Sequence, residues 1–303
     1  MTTQHKADFM LLLVTLFWGV SYWLMDISLS SLDPFTLNAL RFLIAFAVAF
    51  ILAFKKLKNV NKITLKYSAI LGSVLLLVYM GATFGVQYTS LSNAGFLCAL
   101  TVIITPILSF FFLKQKPSKK LILTVIMCLI GIALLTLNDQ LKPALGDILC
   151  IMCAFAYAIH LTITESAVKR EGVNAFQLGV FQLGVTGILN LILAFLLETP
   201  KLPTTSNVWV SVIFLSIFCT GIAFIIQVLA QQYTSASHVG VIFSLEPVFA
   251  GLVAFFFAGE ILAPRAYVGA VLLVSSIFVM EMDIKGIVNK LKNVIKLLRE
   301  DDK

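Results

Sequence analysis

Three ionisable residues lie deep inside long apolar segments, where a charge is costly and therefore suggests a functional site. Arg41 could attract an anionic group or pair with an acid across a cavity. Glu246 stands directly before Pro247 and could carry a proton, hold a cationic substrate or pair with Arg41. An unperturbed histidine changes its charge near neutral pH, so His160 suits proton exchange.

Each of these residues also has a structural interpretation. Arg41 could extend its side chain to the outer headgroups or bind carbonyl groups of a neighbouring helix. Glu246 could serve the backbone groups that are freed around Pro247. His160 could be a neutral side chain that is hydrogen-bonded across helices. The sequence leaves both interpretations open for all three residues.

Aromatic and amide side chains accompany these residues at helical spacing. Trp18, Tyr79 and Tyr157 lie near the middle of their segments, where they could stack on an apolar or cationic substrate or simply pack the bundle. Polar faces that lipid would penalise should turn inward. The candidate substrate-binding residues are Trp18, Tyr22, Arg41, Tyr79, Tyr157, His160, Gln227 and Glu246. We expect no catalytic residue and no metal ligand among them.

The composition indicates that a bilayer surrounds the elements that carry these residues. Apolar residues make up 60% of the chain, charged residues 12%, and the mean hydropathy is +1.00. Because lipid offers no partner to an open strand edge, the spans must be helices. We place ten spans near Phe9–Met25, Phe35–Phe54, Tyr67–Val86, Ala94–Leu113, Leu121–Leu137, Ile148–Thr164, Ala175–Leu197, Val208–Ala230, Val239–Ala258 and Pro264–Met280.

The placement of positive charge predicts the orientation of the chain. Nearly all of the 22 Lys and Arg residues fall before the first span, in alternate loops or in the tail, and only Lys142, Lys201 and Arg265 fall on the other side. The positive-inside rule then puts both termini in the cytoplasm and accounts for the net charge of +7 without nucleic acid. We read the first segment as an uncleaved span of a multi-pass protein of the inner or plasma membrane.

A polar motif occurs once in each half of the sequence. Gln87-Tyr88-Thr89-Ser90 is followed by Gly95, and Gln232-Tyr233-Thr234-Ser235 is followed by Gly240 at the same spacing. A duplicated unit with five spans must insert its second copy upside down, which is the usual architecture of secondary transporters. The predicted repeats cover residues 7–137 and 144–283. The tail 284–303 predicts an amphipathic helix on the anionic inner leaflet, with a solvated extension as the alternative.

Several short motifs resemble one transporter family. They are Phe17-Trp18-Gly19, Leu40-Arg41-Phe42, Leu245-Glu246-Pro247-Val248-Phe249 and Gly259-Glu260. The chain resembles the drug/metabolite transporter superfamily, in its ten-helix branch with two EamA domains. The family often carries a Gly-Glu pair after its fourth helix, whereas this chain has Lys114-Gln115-Lys116 there. The role of that acid therefore does not carry over to the first half.

The resemblance implies export of amino acids, related metabolites or toxic amphiphiles by two inverted halves that rock around a midplane site. We expect no enzyme activity and no cofactor, although an intramembrane enzyme acting on a lipid-soluble substrate is the alternative. The sequence contains no Walker loop, nucleophile elbow or His-Glu-x-x-His motif. The driving force should therefore be a gradient of substrate, ion or proton. Cys150 and Cys153 form a C-x-x-C pair that we interpret as packing rather than as a metal site.

Overall fold

Helices are the only regular elements in the part of the chain that the structure describes. The computed structural model describes residues 3–89, 94, 97–136, 145–257 and 263–281, which confirms the predicted all-α class for these ranges. The helices are α1 (Thr3–Leu29), α2 (Pro34–Leu52), α3 (Phe54–Leu57), α4 (Lys62–Tyr88), α5 (Thr101–Leu113), α6 (Lys119–Thr136), α7 (Leu145–Val168), α8 (Ala175–Leu197), α9 (Ser206–Ser216), α10 (Ala223–Ala230), α11 (Ala236–Phe243), α12 (Glu246–Phe257) and α13 (Pro264–Glu281).

Seven helical stretches of the described residues are long and apolar enough to cross a membrane. They are Thr3–Leu29, Pro34–Leu52, Lys62–Tyr88, Leu145–Val168, Ala175–Leu197, Ser206–Ala230 and Ala236–Phe257. Two further predicted spans form shorter apolar helices, Leu97–Leu113 and Pro264–Met280. The remaining predicted span forms α6, which ends where the described residues stop. The count of ten therefore stays a prediction.

Two of the seven stretches are not regular along their whole length. Ile217–Ile222 form a π-helical segment between α9 and α10. Ser244 and Leu245 interrupt the ninth predicted span, so that Glu246 becomes the first residue of α12 and Pro247 the second. Proline suits the first turn of a helix because its missing N–H would have no intrahelical partner there. The sequence indicated an interruption around Pro247, and in the structure this proline lies in the first turn of a new helix. The π-helical segment was not predicted.

Hydrogen bonds between elements establish which helix ends lie together. Gln177 at the start of α8 binds the carbonyl of Lys56 after α2, and Asn61 before α4 binds the carbonyl of Gly172 after α7. Gln4 in α1 binds Thr234, which precedes α11. We call this end of the bundle the Lys-rich end, because Lys6 and the lysines 55–66 adjoin it. The opposite end is the Lys-poor end.

Contacts between helices join the two halves of the sequence. The first helix, α1, packs against α9, α10 and α12, while α4 packs against α7 and α8. Other large contacts are those of α2 with α8, of α6 with α13, of α8 with α10 and of α5 with both α7 and α11. Most of the larger contacts therefore join helices of different halves, and any site between the halves takes residues from both.

The seam between α4 and α7 is formed by three glycines. A Cβ atom on Gly81 would lie 2.6 Å from the carbonyl oxygen of Leu149, and one on Gly85 would lie 2.5 Å from the Cys150 sulfur. A Cβ atom on Gly146 would lie 2.6 Å from backbone atoms of Gly85, Tyr88 and Thr89. The Gly81-x-x-x-Gly85 pattern of the sequence thus permits close backbone approach.

Two carboxylates cap helices at opposite ends of the bundle. At the Lys-poor end, Glu198 accepts hydrogen bonds of 2.8 Å from the backbone N–H groups of Phe35 and Thr36 at the start of α2. At the Lys-rich end, Glu165 accepts one of 2.7 Å from the N–H of Ala236 at the start of α11. An acceptor with a negative charge is favourable at this position because a helix N-terminus presents unpaired donors and a positive dipole.

Some sequence predictions concern residues outside the described ranges. They are Ser90 and Gly95 of the first motif, the loop between the halves, the Gly259-Glu260 pair and the tail 284–303. The domain limits at 7–137 and 144–283 and the interfacial tail helix stay predictions.

Candidate functional site

A cavity lies between helices of both halves. Its walls are formed by Trp18, Ser21, Tyr22, Met25, Arg41, Val78, Tyr79, Ala82, Cys98, Thr101, Cys153, Tyr157, Phe224 and Glu246. These residues belong to α1, α2, α4, the short helical stretch 97–99 that precedes α5, the start of α5, α7, α10 and α12. All the predicted site residues except His160 and Gln227 line this cavity.

The cavity is displaced toward the Lys-poor end. Its lining residues fall in the second half of α1, near the end of α4 and in the first half of α7. On the other side, toward the Lys-rich end, Leu11 and Val14 of α1 and Val239 of α11 are completely buried. The bundle is therefore packed at one end and open to a pocket at the other.

Arg41 is a buried cation with no carboxylate partner among the described residues. Its side chain is 1% exposed, and its Nε donates a hydrogen bond of 2.9 Å to the Thr220 hydroxyl. Its Nη1 lies 3.4 Å from the Met25 sulfur, which is a weak acceptor, and its guanidinium carbon lies 4.7 Å from the Tyr79 ring centre. A buried charge is normally paired. Arg41 therefore keeps donor capacity for an anionic group in the cavity.

Glu246 lies on another wall of the same cavity. It is the first residue of α12, and its carboxyl group has the Tyr22 hydroxyl of α1 as its hydrogen-bonding neighbour. No ion pair joins Glu246 to Arg41 in the described part of the chain, so the predicted possibility of a direct pair does not occur in this conformation. The cavity thus presents a cationic and an acidic group on separate walls.

Aromatic rings make up a large part of the cavity lining. The Trp18 ring packs 5.7 Å from Tyr157, 5.5 Å from Phe224 and 4.7 Å from Phe243, measured between ring centres. Its Nε1 donates a hydrogen bond of 2.9 Å to the carbonyl of Cys219. With its one donor satisfied by protein, the indole ring offers the cavity an apolar face.

The π-helical segment supplies the partners of both Trp18 and Arg41. Cys219 and Thr220 are adjacent in this segment, and they bind Trp18 and Arg41 respectively. A π-helical turn displaces the backbone from regular α-helical register and occurs often at functional sites. Here it positions two consecutive residues so that one binds a cavity residue of α1 and the other binds a cavity residue of α2. The sequence contains no pattern that predicts this geometry.

His160 and Gln227 lie behind the cavity wall. The Tyr157 hydroxyl donates to Gln227 Oε1 at 3.1 Å, and the Gln227 amide nitrogen lies 3.5 Å from His160 Nδ1. The other ring nitrogen of His160 lies 3.0 Å from Gln182 Oε1. A neutral imidazole that accepts at Nδ1 and donates at Nε2 satisfies both contacts. These hydrogen bonds thus hold the Tyr157 side chain in its orientation from the side away from the cavity.

The polar side chains that recur at helical spacing in α1, α4 and the Ser206–Ala230 stretch are buried with one exception. Thr15, Thr83, Ser216, Thr220, Gln227 and Gln231 are completely buried, whereas Gln87 is exposed. Sequence reasoning missed several lining residues, among them Met25, Thr101 and Phe224. Phe224 and Met25 resemble ordinary apolar packing residues in a sequence of this composition. The repeated motif could have indicated Thr101. This residue follows Gln87 of the first copy at the same spacing as Glu246 follows Gln232 of the second copy.

Comparison with known proteins identifies the family. The EamA-like transporter family matches the chain twice, over residues 5–137 and 144–282. The chain belongs to the EamA-like transporter family. Its apolar helices and this membership together establish a multi-pass membrane protein of transporter type.

Two relatives of the chain are described as uncharacterized transporters. An uncharacterized transporter of Archaeoglobus fulgidus is 30% identical over 279 residues, which cover 91% of this chain and 86% of the relative. The uncharacterized transporter YoaV of Bacillus subtilis is 22% identical over 273 residues, covering 88% and 93%. A crystal structure with 18% identity superimposes with a TM-score of 0.78 over 91% of this chain and 96% of the other, which shows the shared fold.

Proposed function

We propose that this EamA-family protein is a secondary transporter that exports a small zwitterionic metabolite, such as an amino acid with an apolar or aromatic side chain. The observation that carries the proposal is that Arg41 of α2 and Glu246 of α12 line the same cavity and form no ion pair with each other among the described residues. A carboxylate of the substrate would bind Arg41, and its ammonium group would bind Glu246. The aromatic rings of Trp18, Tyr79 and Tyr157 would receive the side chain.

The chemistry of the cavity supports a substrate that carries both charges. Arg41 has hydrogen-bonding capacity beyond Thr220 and Met25, and no described carboxylate neutralises it. A ligand with only an apolar body would leave both Arg41 and Glu246 unpaired in a dry site, which is unfavourable. An apolar pocket with a few placed polar groups is also typical of small-molecule sites.

Alternating access of two inverted five-helix repeats is the proposed mechanism. Two observations support it. The family matches the chain twice in tandem, and the third residue of each polar motif, Thr89 or Thr234, contacts a residue near the start of the first helix of the other half. These contacts lie at opposite ends of the bundle. Broken helices at a midplane site, such as the break before Glu246, are common in secondary transporters.

The proposed orientation places the Lys-rich end and both termini in the cytoplasm. The cavity of this conformation is displaced toward the Lys-poor end, which would then face outward. An exporter releases its substrate from such a state. A substrate or proton gradient would supply the driving force.

Counterflow in proteoliposomes tests the function. Vesicles containing the purified protein and loaded with unlabelled phenylalanine should accumulate labelled phenylalanine faster than protein-free vesicles. Phenethylamine lacks the carboxylate and phenylpropionate lacks the amine, so each should compete at least about tenfold more weakly than phenylalanine, since each loses a hydrogen bond to a charged group.

The relative strength of competition by phenylalanine, phenethylamine and phenylpropionate distinguishes the possible outcomes. Competition by phenylalanine alone supports the zwitterionic site. Equal competition by phenethylamine would show that Arg41 does not bind substrate. If no amino acid exchanges faster than in protein-free vesicles, the proposed substrate class is wrong.

A further inference from the structure

Phe243 of α11 packs against two cavity-lining rings on the side of the Lys-rich end. The Phe243 ring packs 4.7 Å from Trp18 of α1 and lies nearly parallel to Tyr157 of α7, with ring centres 6.2 Å apart. Phe243 is 5% exposed and lies beneath two cavity-lining rings. The Phe243 ring therefore lies between the cavity and the start of α11 at the Lys-rich end.

Beyond Phe243, one carboxylate connects the helices that would have to separate. Glu165 near the end of α7 is 1% exposed. Its Oε2 accepts a hydrogen bond of 2.7 Å from the backbone N–H of Ala236, the first residue of α11. Its Oε1 accepts bonds of 2.7 Å from Gln115 Nε2 and of 2.6 Å from Lys169 Nζ. Glu165 thus joins α7, α11 and the segment after α5.

The hydrogen bonds of Glu165 are strong, and water can replace them when the helices separate. Hydrogen bonds to a charged group are short and roughly twice as strong as neutral ones. The carboxylate also faces the positive end of the α11 dipole. Lys169 is 54% exposed on its side chain, so water reaches the edge of the cluster and can solvate the carboxylate when α11 moves away.

We infer that Glu165 and Phe243 form the gate at the Lys-rich end, with Glu165 as its latch and Phe243 as its plug. Release of the Ala236 N–H from Glu165 lets α11 part from α7, which withdraws Phe243 from between Trp18 and Tyr157. This inference rests on the proposed function only in requiring alternating access, and it is independent of the substrate.

Glu198 provides a matched control within the same chain. It also caps a helix with its carboxylate, through the N–H groups of Phe35 and Thr36, and it accepts a third bond from the Thr36 hydroxyl. It joins α2 to the end of α8 at the Lys-poor end, away from Phe243. Loss of Glu198 should loosen the bundle without opening the Lys-rich end.

The cavity contains reporters for the test, because the thiols of Cys98 and Cys153 line it. The full-length protein in oriented membrane vesicles is treated with a membrane-impermeant maleimide at either face, and labelling of these cysteines is read by mass spectrometry of their peptides. The wild type should react from the Lys-poor face. Glu165→Ala should raise the labelling rate from the Lys-rich face by about ten- to hundredfold, the range expected for a lost bond to a charged group. Glu198→Ala should leave it unchanged.

Phe243→Ala is a second variant that keeps the latch and removes the plug, and it should also raise labelling from the Lys-rich face. Unchanged labelling in folded Glu165→Ala protein would overturn the inference. An equal rise in Glu198→Ala would overturn it too, since the effect would then be general loosening. If Glu165→Ala does not fold, Glu165→Gln and Phe243→Ala decide by the same criterion. The readout needs no substrate, so its failure is distinct from failure of the proposed transport.

Discussion

Thr89 and Thr234 occupy the same position in the two copies of the polar motif and make equivalent contacts at opposite ends of the bundle. Thr89 follows α4, and its hydroxyl donates to Asp147 in the first turn of α7 at 2.5 Å. Thr234 follows α10, and its hydroxyl accepts from Gln4 near the start of α1 at 3.0 Å. In each case the motif of one half binds the first helix of the other half.

Substitution of either threonine by valine should lower stability by a similar amount without abolishing transport. Valine has nearly the same shape and removes only the hydroxyl, so we expect a loss of about 0.5–1.5 kcal/mol in each variant. Thermal unfolding of the purified variants in one detergent measures this. The double variant should lose the sum, because the two sites are at opposite ends. Loss of transport in either single variant would show that the motif acts in the cycle itself.

Arg41→Met should weaken the binding of zwitterionic substrates and leave the fold intact. The neighbours of Arg41 include the Met25 sulfur and the Tyr79 and Phe42 rings, which accept an apolar side chain. A buried charge without a carboxylate partner is unfavourable, so its replacement by an apolar side chain should cost the fold little. We expect about a ten- to hundredfold weaker half-saturation for phenylalanine and little change for phenethylamine. A variant that transports phenylalanine with parental affinity would assign Arg41 a structural role.

Thr220→Val is the control for Arg41. It removes the hydroxyl that accepts from Nε and keeps the cation. The effect on phenylalanine should be smaller than that of Arg41→Met, because the guanidinium remains and only its orientation is less restricted.

Glu246→Gln should impair transport far more than folding. Glutamine has the same shape and can keep a hydrogen bond to Tyr22, so thermal unfolding should change little. The ammonium group of the substrate loses its charged partner, and we expect at least about a tenfold loss in initial rate at limiting substrate. Tyr22→Phe, which keeps the carboxylate, should lose less. Parental rates in Glu246→Gln would make the acid structural, as would failure of the variant to insert.

The sequence predicted which residues line the cavity better than it predicted the contacts that hold them in place. The cost of a charge in lipid identified Arg41 and Glu246, and both line the cavity. The partner of Arg41 could not be predicted, because Thr220 reaches it only through the π-helical turn. The interruption around Pro247 was expected from the sequence, but its form was not, since Pro247 fits both a kinked span and the start of a new helix.

Glu165 was missed because its surroundings in sequence look ordinary. An acid four residues before Lys169 at the end of a span predicts an exposed pair on a helix surface. Its burial comes from Gln115 and Ala236, which are distant in sequence and approach only when α5, α7 and α11 meet. Residues whose role depends on such tertiary contacts carry no local signal.

Trp18→Phe should remove most of the change in tryptophan fluorescence that substrate causes. Of the three tryptophans, Trp18 lines the cavity and is 5% exposed, whereas Trp23 is 38% exposed on the bundle surface. Titration of the purified protein with phenethylamine and with phenylalanine measures the change, and Trp23→Phe is the control. An undiminished signal in Trp18→Phe would place the substrate away from this wall.

Gly146→Ala should destabilise the protein, whereas Gly240→Ala should be tolerated. At position 146 the new methyl group would meet the carbonyl oxygen of Gly85 and the amide nitrogen of Thr89 at 2.6 Å, and these backbone atoms cannot rotate away. At position 240 the nearest atoms, those of Thr105 and Val102, lie at 3.6 Å or more, which is ordinary contact. Overpacking of this kind costs about 1–3 kcal/mol. Thermal unfolding of the two variants should therefore differ by several degrees, and equal unfolding temperatures would show that the seam between α4 and α7 yields more easily than its geometry indicates.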